Sequence, residues 1–128
     1  MILEGKVTSG IGTAKIWVKK IEDIFQEKLD IRLFPGTLNI KLNREYDVKP
    51  DIIIPPEKYG GTQNVFVQNC NIRNNSINEI QKAFIVRAEK NANKNGDHNT
   101  DIVEIVSDIN FREKYNLKDN DLISIEIF

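Results

Sequence analysis

A mainly β fold, a compact closed Greek-key β-barrel with one main helix and a short C-terminal helix, is what the pattern of this chain predicts. Three observations carry that prediction. Apolar residues alternate with a period of two in several short segments, helical period is confined to one substantial segment, and few long connections separate them. Closing such strands into a barrel removes exposed sheet edges, which would otherwise offer unpaired backbone groups to other chains.

Each element follows in order. Met1-Ile2-Leu3-Glu4 runs straight into strand-like sequence, with no cationic start and long apolar core, so no signal peptide is expected. From Gly5 to Val18, Gly10 and Gly12 lie between two segments that read as strands, Val7 before them and Ile16, Trp17 and Val18 after, which predicts a glycine-rich hairpin. Glycines permit positive φ and close backbone approach, so the loop suits phosphate oxygens; an ordinary tight hairpin has the same signature. It is not a P-loop, because the lysine-serine or lysine-threonine ending is missing and no helical pattern follows directly. Between Lys19 and Asp30, Ile21, Ile24, Phe25 and Leu29 fall on one face at helical spacing, predicting the main helix, packed over a barrel opening.

Pro35-Gly36 then turns the chain into a strand whose Leu38, Ile40 and Leu42 face one way while Thr37, Asn39 and Lys41 face the other. Val48-Lys49-Pro50 and the run from Ile54 to Gly61 read as extended chain and turns. Asn64 to Ile72 and Ile77 to Ala88 predict an antiparallel hairpin around Asn74-Asn75-Ser76. Asn91 to Asn99 is polar and turn-rich, a mobile loop that reads either as solvated connection or as a flap ordering over substrate. Ile102, Val103, Ile105 and Val106 read as a buried strand into which Glu104 intrudes. Asn110 and Glu113 have the spacing of an N-cap and its N3 acid, so a short helix starts there, before the closing strand Leu122 to Phe128.

Composition sets the class. At 128 residues, 40% hydrophobic and 29% charged, the chain is expected to form one domain over 1–128 with a substantial core. The formal net charge is −1 with both signs interspersed, which argues against a nucleic-acid footprint or an electrostatic membrane anchor. No apolar run is long enough to span a bilayer, so a cytoplasmic protein without membrane partners is expected; the sequence does not establish its oligomeric state, and a monomer is the default. The single cysteine, Cys70, reads as a core or half-buried strand thiol, and His98, lacking cysteine or histidine partners, as a loop or hydrogen-bonding residue.

The row Thr37, Asn39 and Lys41 brings together a hydroxyl, a carboxamide and an ammonium. Hydroxyl and amide oxygens are hard, neutral ligands, and magnesium bound by only one or two of them keeps open positions for phosphate oxygens. The same alternation describes a strand that simply turns its polar face to water.

In their order and context, several segments resemble the archaeal CTP-dependent riboflavin kinase family over nearly the whole chain. They are Glu4 to Val7, Gly10 to Lys15, Phe34 to Asp47, Ala83 to Val86, His98 with Ile102 to Ile105, and Phe111 to Asp119; Gly36-Thr37-Leu38-Asn39 with its flanks is the specific part. The resemblance implies a compact β-barrel of the cradle-loop type that transfers the γ-phosphate of CTP to the 5′-hydroxyl of riboflavin, giving FMN and CDP with Mg2+. It implies that Gly10, Ile11, Gly12, Thr13, Ala14 and Lys15 line the nucleotide, with Ile109, Asn110, Phe111 and Arg112 as a second nucleotide-contacting segment. Thr37 and Asn39 would hold the metal, and Glu104 matches the flavin-contacting acid.

Two positions depart from the family pattern. Ala14 stands where a further glycine is common, and Gly96 where a threonine contacts the flavin, leaving Asn99 or Thr100 to supply the missing group. No general base is assigned, and a loose phosphoryl transition state asks little of one. Two other classes are carried alongside. One is a regulatory or DNA-binding barrel, since Leu117 to Leu122 resembles swapped-hairpin transcription factors, although no basic stripe accompanies it. The other is a flavin or nucleotide binder that has lost catalysis.

Overall fold

A computed structural model describes residues 1–10, 14–74, 79–89 and 100–128. The strands are β1 (Ile2–Thr8), β2 (Leu38–Leu42), β3 (Ile52–Ile54), β4 (Val65–Asn74), β5 (Glu79–Ala88), β6 (Ile102–Val106) and β7 (Leu122–Ile127). Among the described residues, helices run over α1 (Ala14–Leu29) and the short α2 (Phe111–Lys114), and a 3-10 turn covers Pro56–Lys58. All strand pairings are antiparallel, in the order β3-β4-β5-β6-β2-β1-β7, and a further pairing of β4 with β7 closes the sheet into a ring.

Closure depends on the length of β4. Its first residues, Val65 to Val67, pair with β3, and Cys70 to Arg73, further along, pair with β7. One long strand therefore serves two neighbours along the same edge, and the sheet's ends meet. Leu3 and Val7 of β1, Leu38 and Ile40 of β2, Ile72 of β4, Ile85 of β5, Val103 of β6 and Ile125 of β7 belong to one buried cluster. Because each of the six strands in the closed circuit β4-β5-β6-β2-β1-β7 contributes, that cluster is its interior. Cys70 lies in it with no exposed surface, and burial pushes its thiol up to about 12.

A second cluster lies on the opposite face of the sheet, where Val18, Ile21 and Phe25 of α1 cover Ile54, Val65, Val67, Phe84, Val86 and Val106. Phe25 and Phe84 meet edge to face, centroids 5.3 Å apart at 81°, a pairing that adds about 0.5–1.5 kcal/mol beyond area burial. Asp30, at φ 54°, takes the left-handed position that ends the helix, and the Ile31 amide donates back to the Phe25 carbonyl.

The mainly β fold, the closing of its sheet and the two helices are as the sequence predicts. Three details differ. Ile16, Trp17 and Val18 belong to α1 and not to a strand, so they do not form the second arm of the expected hairpin. The stripe that decides this starts at Val18 and continues through Ile21 and Phe25, one turn earlier than the Lys19 start suggests. The helix rests on the outer face of the sheet, and Ile52–Ile54 adds a short strand within a stretch expected as extended chain and turns. The Asn74 turn beyond its first residue and the Asn91 to Asn99 loop lie outside the described residues. Among the described residues, no helix is long and apolar enough to cross a membrane.

Candidate active site

The Pro35-Gly36 turn needs its glycine. Gly36 sits at φ 139°, a region that side chains disfavour, and it delivers the chain into β2 with Thr37 half-buried at the entrance. Leu38, Ile40 and Leu42 point into the ring as the alternation predicts, and Lys41 is exposed on the opposite face, paired with Asp101.

Asn39 is on that outer face but is not solvated: only 6% of it is exposed. Gly10 lies over it, so close that a Cβ there would come within 2.5 Å of Asn39 Nδ2 and 3.3 Å of Oδ1. The Asn39 amide donates a long 3.4 Å bond to Thr37 Oγ1, while Asn39 Oδ1 is buried with no hydrogen-bond partner among the described residues. A buried acceptor without a partner costs about 1–3 kcal/mol, and its open lone pairs can take a ligand or a cation. Two neutral oxygens, one hydroxyl and one orphaned carbonyl, suit a magnesium ion that takes its remaining ligands from phosphate and water. Among the described residues, no group of three or more His, Cys, Asp or Glu could hold a metal.

A small cleft of about 60 Å³ opens beside this entrance and unites two segments far apart in sequence. Thr37, just before β2, lines it together with Ile109, Asn110, Phe111 and Arg112. The Asn110 side chain accepts from the Glu113 amide at 3.2 Å, the predicted cap, and Phe111 anchors α2 in the core at 4% exposure. Arg112 donates to the Thr8 carbonyl at 3.2 Å and to Asp119 Oδ1 at 2.7 Å, and the Ser9 hydroxyl donates to Asp119 Oδ2 at 2.8 Å.

Glu104 is half-buried on β6, directly opposite Asn39 in the β2–β6 register, and Thr8 is opposite Asn39 on the other side. Register partners project to the same face, so Thr8, Asn39 and Glu104 form one polar row across three strands on the outer face of the ring. Thr100 is not in that row. It is 2% exposed, and its hydroxyl donates to Glu45 at 2.8 Å.

Ala14 and Lys15 open α1, whereas Ile11, Gly12 and Thr13 lie outside the described residues, as do Gly96, His98 and Asn99. Two residues at the site, Ser9 and Asp119, and one that braces the sheet, Arg87, escape a sequence reading. Arg87 is 4% exposed and donates to the carbonyls of Tyr46, Thr100 (3.2 Å) and Ile102 (3.1 Å), binding the extension of β2 to the start of β6. Its one signal is a cation ending the apolar run Ala83-Phe84-Ile85-Val86. Ser9 and Asp119 carry no such mark, because they are 110 residues apart and meet only in the fold.

Comparison with known proteins agrees with this layout. Residues 7–127 match the family model CTP-dep_RFKase, described as domain of unknown function DUF120. The chain is similar to a riboflavin kinase of Staphylothermus marinus, 32% identical over 98% of this chain and 91% of that protein. A riboflavin kinase of Sulfurisphaera tokodaii is also 32% identical, over 98% of this chain and 94% of its own length. A third, from Pyrobaculum aerophilum, is 31% identical over 98% of this chain, which spans 60% of that longer relative.

Proposed function

The chain belongs to the CTP-dependent riboflavin kinase family, and from that premise we propose that it transfers the γ-phosphate of CTP to the 5′-hydroxyl of riboflavin, giving FMN and CDP. The observation that carries the site assignment is the buried, unpartnered Asn39 Oδ1 two residues after Thr37, beneath Gly10. Thr37 and Asn39 hold Mg2+ in this reading. When bound, the ion supplies charge neutralisation on the phosphate oxygens.

The chain's own groups do the positioning. Arg112 and the residues from Ile109 meet the nucleotide across the cleft from Thr37, and the glycine-rich segment that begins at Gly10 completes the phosphate side. Glu104, in the same row as Asn39, accepts hydrogen bonds from the flavin, which brings the acceptor hydroxyl to the metal side of the sheet. In the transfer the riboflavin 5′-oxygen bonds to the γ-phosphorus as the bond to the β-phosphate oxygen breaks, CDP leaves with that electron pair, and the hydroxyl proton passes to solvent. Alignment and charge stabilisation carry such a reaction, so the lack of an assigned base is consistent with it.

The domain is read as one unit over 1–128, monomeric and cytoplasmic, with CTP, CDP, riboflavin and FMN as its ligands. Family membership favours this activity over a DNA-binding barrel. The deciding experiment follows FMN formation from riboflavin with CTP or ATP while magnesium is titrated. Magnesium-dependent FMN formation with CTP is expected; CTP and riboflavin binding without FMN would leave an inactive binder, and absence of both would overturn the reading.

A further inference from the structure

The turn between α2 and β7 is built to hold one carboxylate in place. Asn116 and Asn120 adopt left-handed φ of 51° and 75°, and the Lys118 amide donates to Asp121 Oδ2 at 2.8 Å. The turn is locked to β1 by Asn120 N to Val7 O at 2.8 Å and Val7 N to Asp121 O at 2.9 Å, and to α2 by Leu117 N to Arg112 O at 2.9 Å. Asp119 lies in this turn, and its two oxygens separate: one takes Arg112, the other Ser9. Ser9 adjoins Gly10, which covers Asn39, and Arg112 lines the cleft with Thr37.

We infer that Asp119 is a positioning residue that ties the two nucleotide-contacting segments into one site and thereby sets CTP affinity. This rests on the kinase reading above. Asp119 orients Arg112 and need not touch substrate. A free arginine has many rotamers, and binding through it loses that freedom. With the Thr8 carbonyl and Asp119 Oδ1 as acceptors, the guanidinium is oriented before the nucleotide arrives, with N–H groups left over for phosphate. The same carboxylate fixes Ser9, so the entry to the glycine-rich segment and the second segment keep a constant separation. The Arg112 guanidinium and then the Ser9 hydroxyl hold the Asp119 carboxyl below its usual value.

The test compares wild type, Asp119→Asn, Asp119→Glu and Ser9→Ala by steady-state kinetics with each substrate varied, and by calorimetric titration with CTP. Asp119→Asn keeps the shape but loses one acceptor, and the expected result is a CTP KM and Kd raised about fivefold, the effect of an exposed charged link. The riboflavin KM and kcat should stay within about twofold, and Asp119→Glu should restore part of the CTP affinity. Ser9→Ala breaks one arm only and should raise the CTP constants less; it decides the question if Asp119→Asn does not fold. Unchanged CTP constants, equal losses for both substrates, or tighter CTP binding, as a carboxylate competing with phosphate for Arg112 would give, each overturns the inference while the kinase stands. A wild-type protein that neither forms FMN nor binds CTP removes the kinase reading and this inference together.

Discussion

Gly10 packs against the Asn39 carboxamide with no space for a side chain, a Cβ there lying 2.5 Å from Asn39 Nδ2 and 3.1 Å from Cγ. Gly10→Ala must therefore displace Asn39 or the segment that covers it. Overpacking of this kind costs about 1–3 kcal/mol, and the magnesium concentration for half-maximal FMN formation should rise with it. Urea denaturation and a magnesium titration measure both; a variant with wild-type values in each would show that the contact yields freely.

Replacing Thr37 and Asn39 together with alanine should abolish transfer while leaving the protein folded. Asn39 Oδ1 makes no hydrogen bond among the described residues, and the bond from Asn39 Nδ2 to Thr37 Oγ1 is a long one at 3.4 Å, so stability should fall by less than about 2 kcal/mol. Circular dichroism reports the fold. Undiminished FMN formation at limiting magnesium would remove both residues as metal ligands.

Glu104→Gln keeps the side-chain shape and removes its charge. The riboflavin KM should rise by about 1–2 kcal/mol in free-energy terms, with CTP affinity spared, since a hydrogen bond to a charged group exceeds a neutral one. Riboflavin and CTP constants measured separately decide the matter. If the riboflavin constant does not move, Glu104 is a half-buried strand acid and not a flavin contact.

Arg87→Met should be the most damaging of these substitutions to stability, although Arg87 lies outside every segment read as ligand-binding. It leaves the carbonyls of Tyr46, Thr100 and Ile102 without their shared donor, at a cost of about 3 kcal/mol or more. Burial pulls the Arg87 pKa down, but a guanidinium remains charged at any pH where the protein is handled. Arg87→Lys should rescue only part of the loss, because an ammonium lacks the planar fork that reaches several acceptors. A urea midpoint equal to wild type would show that water replaces the guanidinium without cost.

Local physics made much of this protein legible from its residues. Period-two alternation marks β2 and β7, the apolar run around Glu104 marks β6, the stripe of Ile21, Ile24, Phe25 and Leu29 marks α1, and the Asn110 cap closes on the Glu113 amide as its spacing requires. Thr37 and the segment from Ile109 to Arg112, linked beforehand only by family resemblance, line one cleft. These features depend on neighbours within a turn or a strand, which the sequence contains directly.

Tertiary structure decided the rest, because burial and partnership are set by residues distant in the chain. Ile16, Trp17 and Val18 have strand-forming side chains, yet they lie in a helix whose next apolar residues fit the outer face of β4, β5 and β6. An alternating strand predicts which way Asn39 points but not that Gly10 will cover it. Nor does any spacing foretell that Arg87 will collect three carbonyls, or that Ser9, Arg112 and Asp119 will meet. A polar side chain near the surface has the same local signature whether it faces water or a partner, and only the strand order, which places β1 between β2 and β7, distinguishes the two.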